Sequence, residues 1–303
     1  MNRKILIGPS SFAETDKTPM KLLVATGYEV VDNPYKRRLT KQDLFKLLEK
    51  NVVGLIAGVE PLDREVLERS DLKVISRVGS GLSNIDLKAA EQLGIRVFST
   101  PHGPTSAVAE LTLGAMLSLI RMVPQMDRAL HSGKWMKKTG SQLEGKTVAI
   151  IGFGRIGRRV AELLMPFKVK LVVVDPYLKE EPNNRYTRLP LEGALPLAEI
   201  ITIHSSGEAC ILTEREFSLM KQGVFLLNAA RGGLISEEAL LKFIENGKIA
   251  GAWIDAFGEE PYSGPLCGFD NVILTPHIGS YTVECRKAME TESVENLINA
   301  LKE

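Results

Sequence analysis

The sequence predicts an α/β protein of two domains, each a parallel sheet clad in helices. Three observations carry this prediction. Strand-like apolar runs alternate with helix-like segments from end to end, the pattern of a parallel sheet. A glycine-rich strand–turn–helix segment opens only at Val148, far into a chain whose 303 residues suffice for two domains. The chain then closes on one helix, Thr282 to Leu301, with no strand after it. An inserted domain explains that order: residues 1–99 with 283–303 form one domain, and residues 100–282 form the other.

In the first domain Lys4–Ile7, Val52–Ala57, Val74–Val78 and Arg96–Phe98 read as strands, being short runs rich in Val, Ile and Leu. Asp16–Thr26, Lys41–Lys50, Asp63–Glu68 and Asp86–Leu93 are the helices between them. Ser106 to Ile120 follows as a long helix, apolar on most faces (Val108, Leu111, Leu113, Met116, Leu117, Ile120), so it is expected to be buried between layers or domains. The strands of the second domain read as Thr147–Ile151, Lys170–Val174, Ile200–His204, Val224–Asn228, Gly251–Asp255 and Val272–Thr275. Six strands with intervening helices make a doubly wound sheet. Ser236 is placed to cap a helix with Glu237 and Glu238 in its first turn, and Gly247 suits its end.

The glycine-rich segment is Val148-Ala-Ile-Ile-Gly-Phe-Gly-Arg-Ile-Gly157, followed by a helical stretch, a second apolar run from Leu171 to Val174, and Asp175. Strand, G-x-G-x-x-G turn, helix, strand and acid in that order form a dinucleotide-binding fingerprint. Gly152 permits the tight turn, Gly154 lets backbone approach a pyrophosphate, and Gly157 lets helix and strand pack closely. The helix N-terminus presents unpaired N–H groups to the phosphates. Asp175 can accept hydrogen bonds from both ribose hydroxyls and would repel a 2′-phosphate, which favours NAD over NADP. A bare G-x-G-x-x-G is also an ordinary tight turn; the flanking strands and the acid set this one apart.

Composition excludes several other classes. Hydrophobic content of 44% and charged content of 25% are those of a globular protein, and the net charge is +1. Lys36-Arg37-Arg38 and Lys137-Lys138 are too short to suggest nucleic acid or an anionic membrane as partner. No run approaches the roughly 20 apolar residues that span a bilayer. The N-terminus enters a strand at once, so no signal peptide is expected. Cys210, Cys267 and Cys285 have no metal-ligand spacing and are too few for a disulfide framework, which suggests a reducing, cytoplasmic setting without a metal site.

Three polar signals follow strands of the second domain, where open α/β sheets bind ligands. They are Asn228-Ala-Ala-Arg231-Gly-Gly, Asp255-Ala-Phe-Gly-Glu-Glu260-Pro and Thr275-Pro-His277-Ile-Gly. A guanidinium at Arg231 can clamp a carboxylate bidentately. Glu260 and His277 can pair, which orients the imidazole as a proton donor. Each has a plain alternative: Arg231 in a salt bridge, Glu260 capping a turn, His277 satisfied within the fold. Behind a cofactor motif the three together favour chemistry.

With these segments the chain resembles the D-isomer-specific 2-hydroxyacid dehydrogenases, most of all their 3-phosphoglycerate dehydrogenase branch. The resemblance also covers Arg77-Val-Gly-Ser-Gly-Leu-Ser-Asn-Ile-Asp86, Val108-Ala-Glu-Leu-Thr112, Gly133-Lys-Trp135 and Asp270 to Gly279, so it extends over nearly the whole chain. It implies two Rossmann-like domains, the nucleotide-binding domain inserted into a flavodoxin-like substrate domain, and a homodimer formed near Ser106–Trp135. It implies hydride transfer between NAD and a D-2-hydroxy acid or its 2-keto acid. By the resemblance Arg231 binds the substrate carboxylate, His277 is the acid/base and Glu260 holds His277. Backbone N–H groups of Ser80 and Gly81 take the carboxylate from the other side, in a cleft between domains. Arg155 and Ile156 present backbone to the pyrophosphate, Asp175 takes the ribose, and Ala229 and Asp255 lie at the cofactor, Asp255 near the nicotinamide carboxamide.

Departures from the family pattern bear on the substrate. Pro104 stands where relatives often carry Asn. Phosphoglycerate-specific relatives place an Arg after the strand Val53–Ile56, and this chain has Ala57-Gly-Val-Glu60 instead. Losing a cation and gaining Glu60 disfavours a phosphorylated acid. The segment after His204, Ser205-Ser206-Gly207, lacks the usual proline, which leaves one wall of the adenine pocket open. 3-Phosphoglycerate and glyoxylate or hydroxypyruvate therefore remain rival substrates. From another class, an NAD(H)-sensing corepressor-like protein would keep the same triad, and turnover separates the two.

Overall fold

A computed structural model of the chain describes residues 3–179, 185–207 and 209–302. It divides into two compact units, residues 1–104 with 280–303 and residues 105–279. Each is a wholly parallel sheet with helices on its faces, as the alternating pattern predicts.

The first unit holds five strands among the described residues: β1 (Lys4–Ile7), β2 (Glu29–Val31), β3 (Val52–Ala57), β4 (Val74–Arg77) and β5 (Arg96–Ser99). Their order across the sheet is β2-β1-β3-β4-β5, a doubly wound order that reverses between β1 and β3. The sequence reading finds four of these strands and misses β2, a three-residue edge strand that pairs only with β1. β3 is buried at all six positions, because helices cover both faces of the sheet.

The helices of this unit carry recognisable start signals. Thr40, Asp63 and Asp86 each accept the backbone N–H three residues on, and Asp43 returns the bond at Thr40 in a capping box. The chain comes back to this sheet as the helix Val283–Lys302, which packs on β3, β4, β5 and the helix Thr18–Val24. Gly54 in β3 admits it, since a Cβ there would lie 3.2 Å from Leu297 Cδ1.

Glu290 on that helix is buried to 1% exposure. Its carboxylate accepts from Arg286 and, at 2.9 Å, from the backbone N–H of Ala13. Burial pushes this carboxyl above the usual range while Arg286 pulls it back. The pair fastens the segment after β1 to the end of the chain.

The second unit contains β6 (Thr147–Ile151), β7 (Lys170–Val174), β8 (Thr187–Arg188), β9 (Ile200–Ile203), β10 (Val224–Asn228), β11 (Ile249–Ile254) and β12 (Val272–Leu274). Their order is β12-β11-β10-β9-β6-β7-β8. The expected six strands become seven: β8 is an exposed two-residue edge strand with no apolar signature. Side chains alternate across this sheet. Ala149, Ile151, Leu226 and Ile254 enter one core, while Val148, Ile150, Leu227 and Trp253 enter the other.

The helix Pro104–Ile120 lies in that second core through Ala109, Met116, Leu119 and Ile120. Gly251 lets it approach, a Cβ there falling 3.0 Å from Leu119 Cδ1. Trp253 is fully buried as a core residue and donates its indole N–H to Thr275 Oγ1 at 2.9 Å. A shorter helix, Val123–His131, follows at a 67° bend after Met122, whose φ is 52°. No single helix among the described residues is long and apolar enough to cross a membrane.

Replacing Glu290 by Ala removes the carboxylate partner of Arg286, whose side chain is 11% exposed, and the acceptor of Ala13 N–H. The expected loss is about 3 kcal/mol of unfolding free energy, read as a lower denaturant midpoint; an unchanged midpoint would show that the pair does not fasten the termini.

Candidate active site

All strands of the second unit point the same way, so every strand leaves the sheet at one edge. The strand order reverses between β6 and β9, the place where such sheets open a crevice. Gly152 lies in that gap with φ 91°, and a Cβ on it would sit 2.5 Å from Ser205 N and 2.6 Å from His204 C. No other residue fits there. Gly157 faces the same turn from the helix Arg155–Leu164, where a Cβ would come 2.1 Å from Gly152 O. Gly154 differs: a Cβ there meets nothing within 4 Å, so its surface is open.

Gly154 is the N-cap of this helix and offers no side-chain partner. The first-turn N–H groups of Arg155 and Ile156 therefore face the open side of the turn. His204 closes the other wall. Its Nε2 pairs with Thr202 Oγ1 at 2.9 Å, its Nδ1 is buried without a partner, and burial pushes the ring down to about 3. The open cradle at Gly154, at the N-terminus of this helix, fits a polyphosphate-bearing ligand.

Asp175 ends β7 and is half-buried. Its Oδ2 accepts from Phe153 N at 2.7 Å and its Oδ1 from Tyr177 N at 2.9 Å. These bonds fix the carboxylate and leave a lone pair on each oxygen for a ribose hydroxyl.

The reactive residues leave β10, β11 and β12, which are neighbours. At the end of β10, Asn228 makes an Asx turn: its Oδ1 accepts from Ala230 N at 3.0 Å and its Nδ2 donates to Arg231 O at 2.9 Å. Ala229 and Arg231 are thereby displayed half-buried at the edge. One guanidinium N–H of Arg231 is spent on Ala230 O at 2.7 Å, leaving donors for a carboxylate. Gly232 packs on the next loop so closely that a Cβ would lie 1.9 Å from Phe257 C.

The pairing expected of Glu260 and His277 is present. Both carboxylate oxygens of Glu260 lie 3.0 Å from His277 Nδ1. A carboxylate only accepts, so Nδ1 carries the proton and Nε2 is the outward atom. The His277 side chain is 48% exposed and that of Glu260 37%, so the pair is reachable from solvent. His277 has φ 54°, and its N–H donates to Thr275 O at 2.9 Å in a tight turn.

Asp255 is buried to 1% exposure. Its Oδ1 accepts from Thr275 Oγ1 at 2.6 Å and Ile278 N at 2.9 Å, and its Oδ2 from Gly279 N at 2.9 Å. What the structure shows of Asp255 is thus structural, for it holds the turn that displays His277. Thr275 and Asn228 are site residues whose roles the sequence reading misses, although the Asn-x-x-Arg spacing is itself an Asx-turn signal.

Ser80 and Gly81 lie in the first unit, after β4. Gly79 precedes them with φ 128°, and its N–H donates to Thr100 Oγ1 at 2.7 Å. Ser80 is exposed and Gly81 half-buried, so their backbone is available to a ligand. No group of three or more His, Cys, Asp or Glu among the described residues could hold a metal ion.

Comparison with known proteins fits this geometry. Residues 113–279 match the family model described as "D-isomer specific 2-hydroxyacid dehydrogenase, NAD binding domain". The chain is 35% identical to human D-3-phosphoglycerate dehydrogenase over 99% of its own length, which spans 57% of that relative. It is also 35% identical to the hydroxypyruvate reductase of Thermotoga maritima, over 87% of this chain and 89% of that one. Among solved structures, a protein of Thermus thermophilus superposes with TM-score 0.90 at 33% identity, covering 99% of this chain and 97% of that one. A glyoxylate reductase from Paecilomyes thermophila gives 0.87 at 26% identity, covering 100% and 96%.

Asp255→Asn places an amide NH2 among donors that need an acceptor. Stability is expected to fall by about 2 kcal/mol, seen as a lower thermal midpoint. An unshifted midpoint would show that Asp255 does not hold the His277 turn.

Proposed function

From the premise that the chain belongs to the D-isomer-specific 2-hydroxyacid dehydrogenase family, we propose that it is an NAD-dependent oxidoreductase interconverting a D-2-hydroxy acid and its 2-keto acid. The observation that carries the reading is the Glu260–His277 pair, at 3.0 Å through both carboxylate oxygens, on the same sheet edge as the dinucleotide turn.

The turn from Gly152 to Gly157 would hold the pyrophosphate through the backbone N–H groups of Arg155 and Ile156, and Asp175 would take the adenosine ribose. NADH, when bound, supplies the hydride that reaches the carbonyl carbon. Arg231 binds the substrate carboxylate with its remaining guanidinium donors. As the imidazolium, His277 delivers its Nε2 proton to the carbonyl oxygen and keeps the Nδ1 proton, which Glu260 accepts, so that Glu260 steadies the ring and fixes the tautomer left behind.

On the substrate, the rivals are 3-phosphoglycerate and an unphosphorylated acid of the glyoxylate or hydroxypyruvate type. Glu60 favours the second. It lies beyond β3 at 2% exposure, both oxygens on the N–H of Gly58 at 2.9 and 3.1 Å, against Gly8 beyond β1. Burial pushes this carboxyl up, with Arg77 and Arg38 pulling the other way. With Glu60 turned onto Gly58, the exit of β3 through Ala57-Gly58-Val59-Glu60 offers a phosphate no guanidinium at the strand-order reversal of this sheet.

We also assign a homodimer to the face around the helix Val123–His131. Val123, Leu130, Trp135 and Met136 are exposed there, with Trp135 at 79%, and they rim an apolar groove. The three cysteines are free, which supports a reducing cytoplasmic setting.

His277→Ala is expected to cut turnover between about 10²- and 10⁴-fold with an unchanged melting temperature. Arg231→Ala should raise KM for the keto acid as well. Asp175→Ala should weaken NADH binding and improve tolerance of NADPH; unchanged cofactor preference would contradict its role. NADH oxidation against glyoxylate, hydroxypyruvate, 3-phosphohydroxypyruvate and pyruvate tests the substrate reading. Turnover of the phosphorylated acid alone would defeat the Glu60 argument, and tight NADH binding with no turnover of any acid would favour a sensor.

A further inference from the structure

The loop from Asp255 to Gly264 carries Glu260 and would be expected to wander, since a Glu side chain that is 37% exposed loses rotamer entropy when fixed. The structure shows what holds it. Phe257 N–H donates to Glu260 Oε1 at 3.1 Å, so the place of the carboxylate depends on the place of Phe257. On one side Phe257 backbone is wedged against Gly232, in the turn after Arg231. On the other its ring stacks on Tyr262, with centroids 4.3 Å apart and planes at 17°.

Tyr262 is itself tied at its far end. Its hydroxyl donates to Glu237 Oε1 at 2.9 Å and accepts from Leu266 N at 3.2 Å. Glu237 is the first residue of the helix Glu237–Glu245, which follows the Arg231 turn. Gly264 closes over the hydroxyl, leaving only 2.4 Å between a would-be Cβ and Tyr262 Oη. Burial pushes the phenol up to about 12, so it remains a donor throughout the neutral range.

We propose that Tyr262 is a positioning residue for the Glu260–His277 pair, tethering the Glu260 loop to the helix that follows Arg231. The proposal rests on the catalytic reading above. It makes the Tyr262–Glu237 hydrogen bond a brace between the substrate-binding turn and the loop that steadies the proton donor. The brace touches neither substrate nor cofactor and acts through Phe257.

The test compares Tyr262→Phe, Glu237→Ala and Glu237→Gln with Glu260→Gln and His277→Ala. The readouts are NMR of protein labelled with ¹⁵N-histidine, which carries only four histidines, NADH binding by fluorescence, and NADH oxidation by whichever of glyoxylate or hydroxypyruvate is turned over faster. The Nδ1 proton resonance that His277→Ala removes and Glu260→Gln shifts is the signature of the pair. Tyr262→Phe and Glu237→Ala are each expected to broaden it and to lower kcat about tenfold, with NADH affinity unchanged. The isotope effect from NADH deuterated at the transferred position should rise, because chemistry becomes slower than release. Glu237→Gln, still an acceptor, should behave like the unaltered protein, and combining Tyr262→Phe with Glu237→Ala should cost no more than either alone.

A purely structural role would lower the melting temperature and the active fraction while leaving the isotope effect and the His277 resonance as they were, and would overturn the proposal. Full activity in His277→Ala would instead overturn the catalytic reading, whatever Tyr262 does.

Discussion

Asp255 brings a carboxyl group to 1% exposure, and three donors offset what that burial costs. The donors are Thr275, Ile278 and Gly279, which bracket His277 on both sides. Because the acceptor stands at the end of β11 and its donors follow β12, two neighbouring strands are locked at their exits. Asp255 N also donates to Asn228 O at 2.9 Å, which adds the exit of β10. The position of His277 descends from this knot of backbone and one carboxylate, and the Arg231 turn is tied to it through Asn228. Trp253 extends it into the core through Thr275, so the reactive edge is continuous with the buried interior of the unit.

Much of this was legible in the sequence, for a physical reason. Strands buried on both faces must be largely apolar, and β3, β6, β9 and β10 announce themselves that way, with Thr147, Thr202 and Asn228 as their polar positions. A polar residue directly after such a run must lie at the exit edge, where it either satisfies the turn or faces a ligand. Arg231, Glu260 and His277 lie in segments that such strand ends pick out, and Asp175 follows the second strand of the nucleotide turn. The glycines of the nucleotide turn were legible because their spacing encodes clearances that only a missing side chain allows.

The rest was hidden because it depends on partners far apart in sequence. β2 and β8 pair on one side only and are too short and exposed to carry a pattern. The helix Val123–His131 follows a left-handed Met122 that no local preference favours. Asp255 drew attention as a cofactor neighbour, yet its visible bonds are all internal. Tyr262 attracted no notice at all, since its meaning lies in Glu237, twenty-five residues away, and in a ring stacked beneath Phe257.

The backbone of His277, at φ 54°, has a consequence for how this chain could change over time. A side chain with a Cβ in the left-handed region costs on the order of 1 kcal/mol relative to an ordinary conformation. Asparagine or glycine would relieve most of that cost at the same place. A chain selected for stability alone would therefore drift away from histidine there. The imidazole stands at a position where folding and chemistry pull in opposite directions, so stabilising variants gathered by a screen blind to turnover should include this residue.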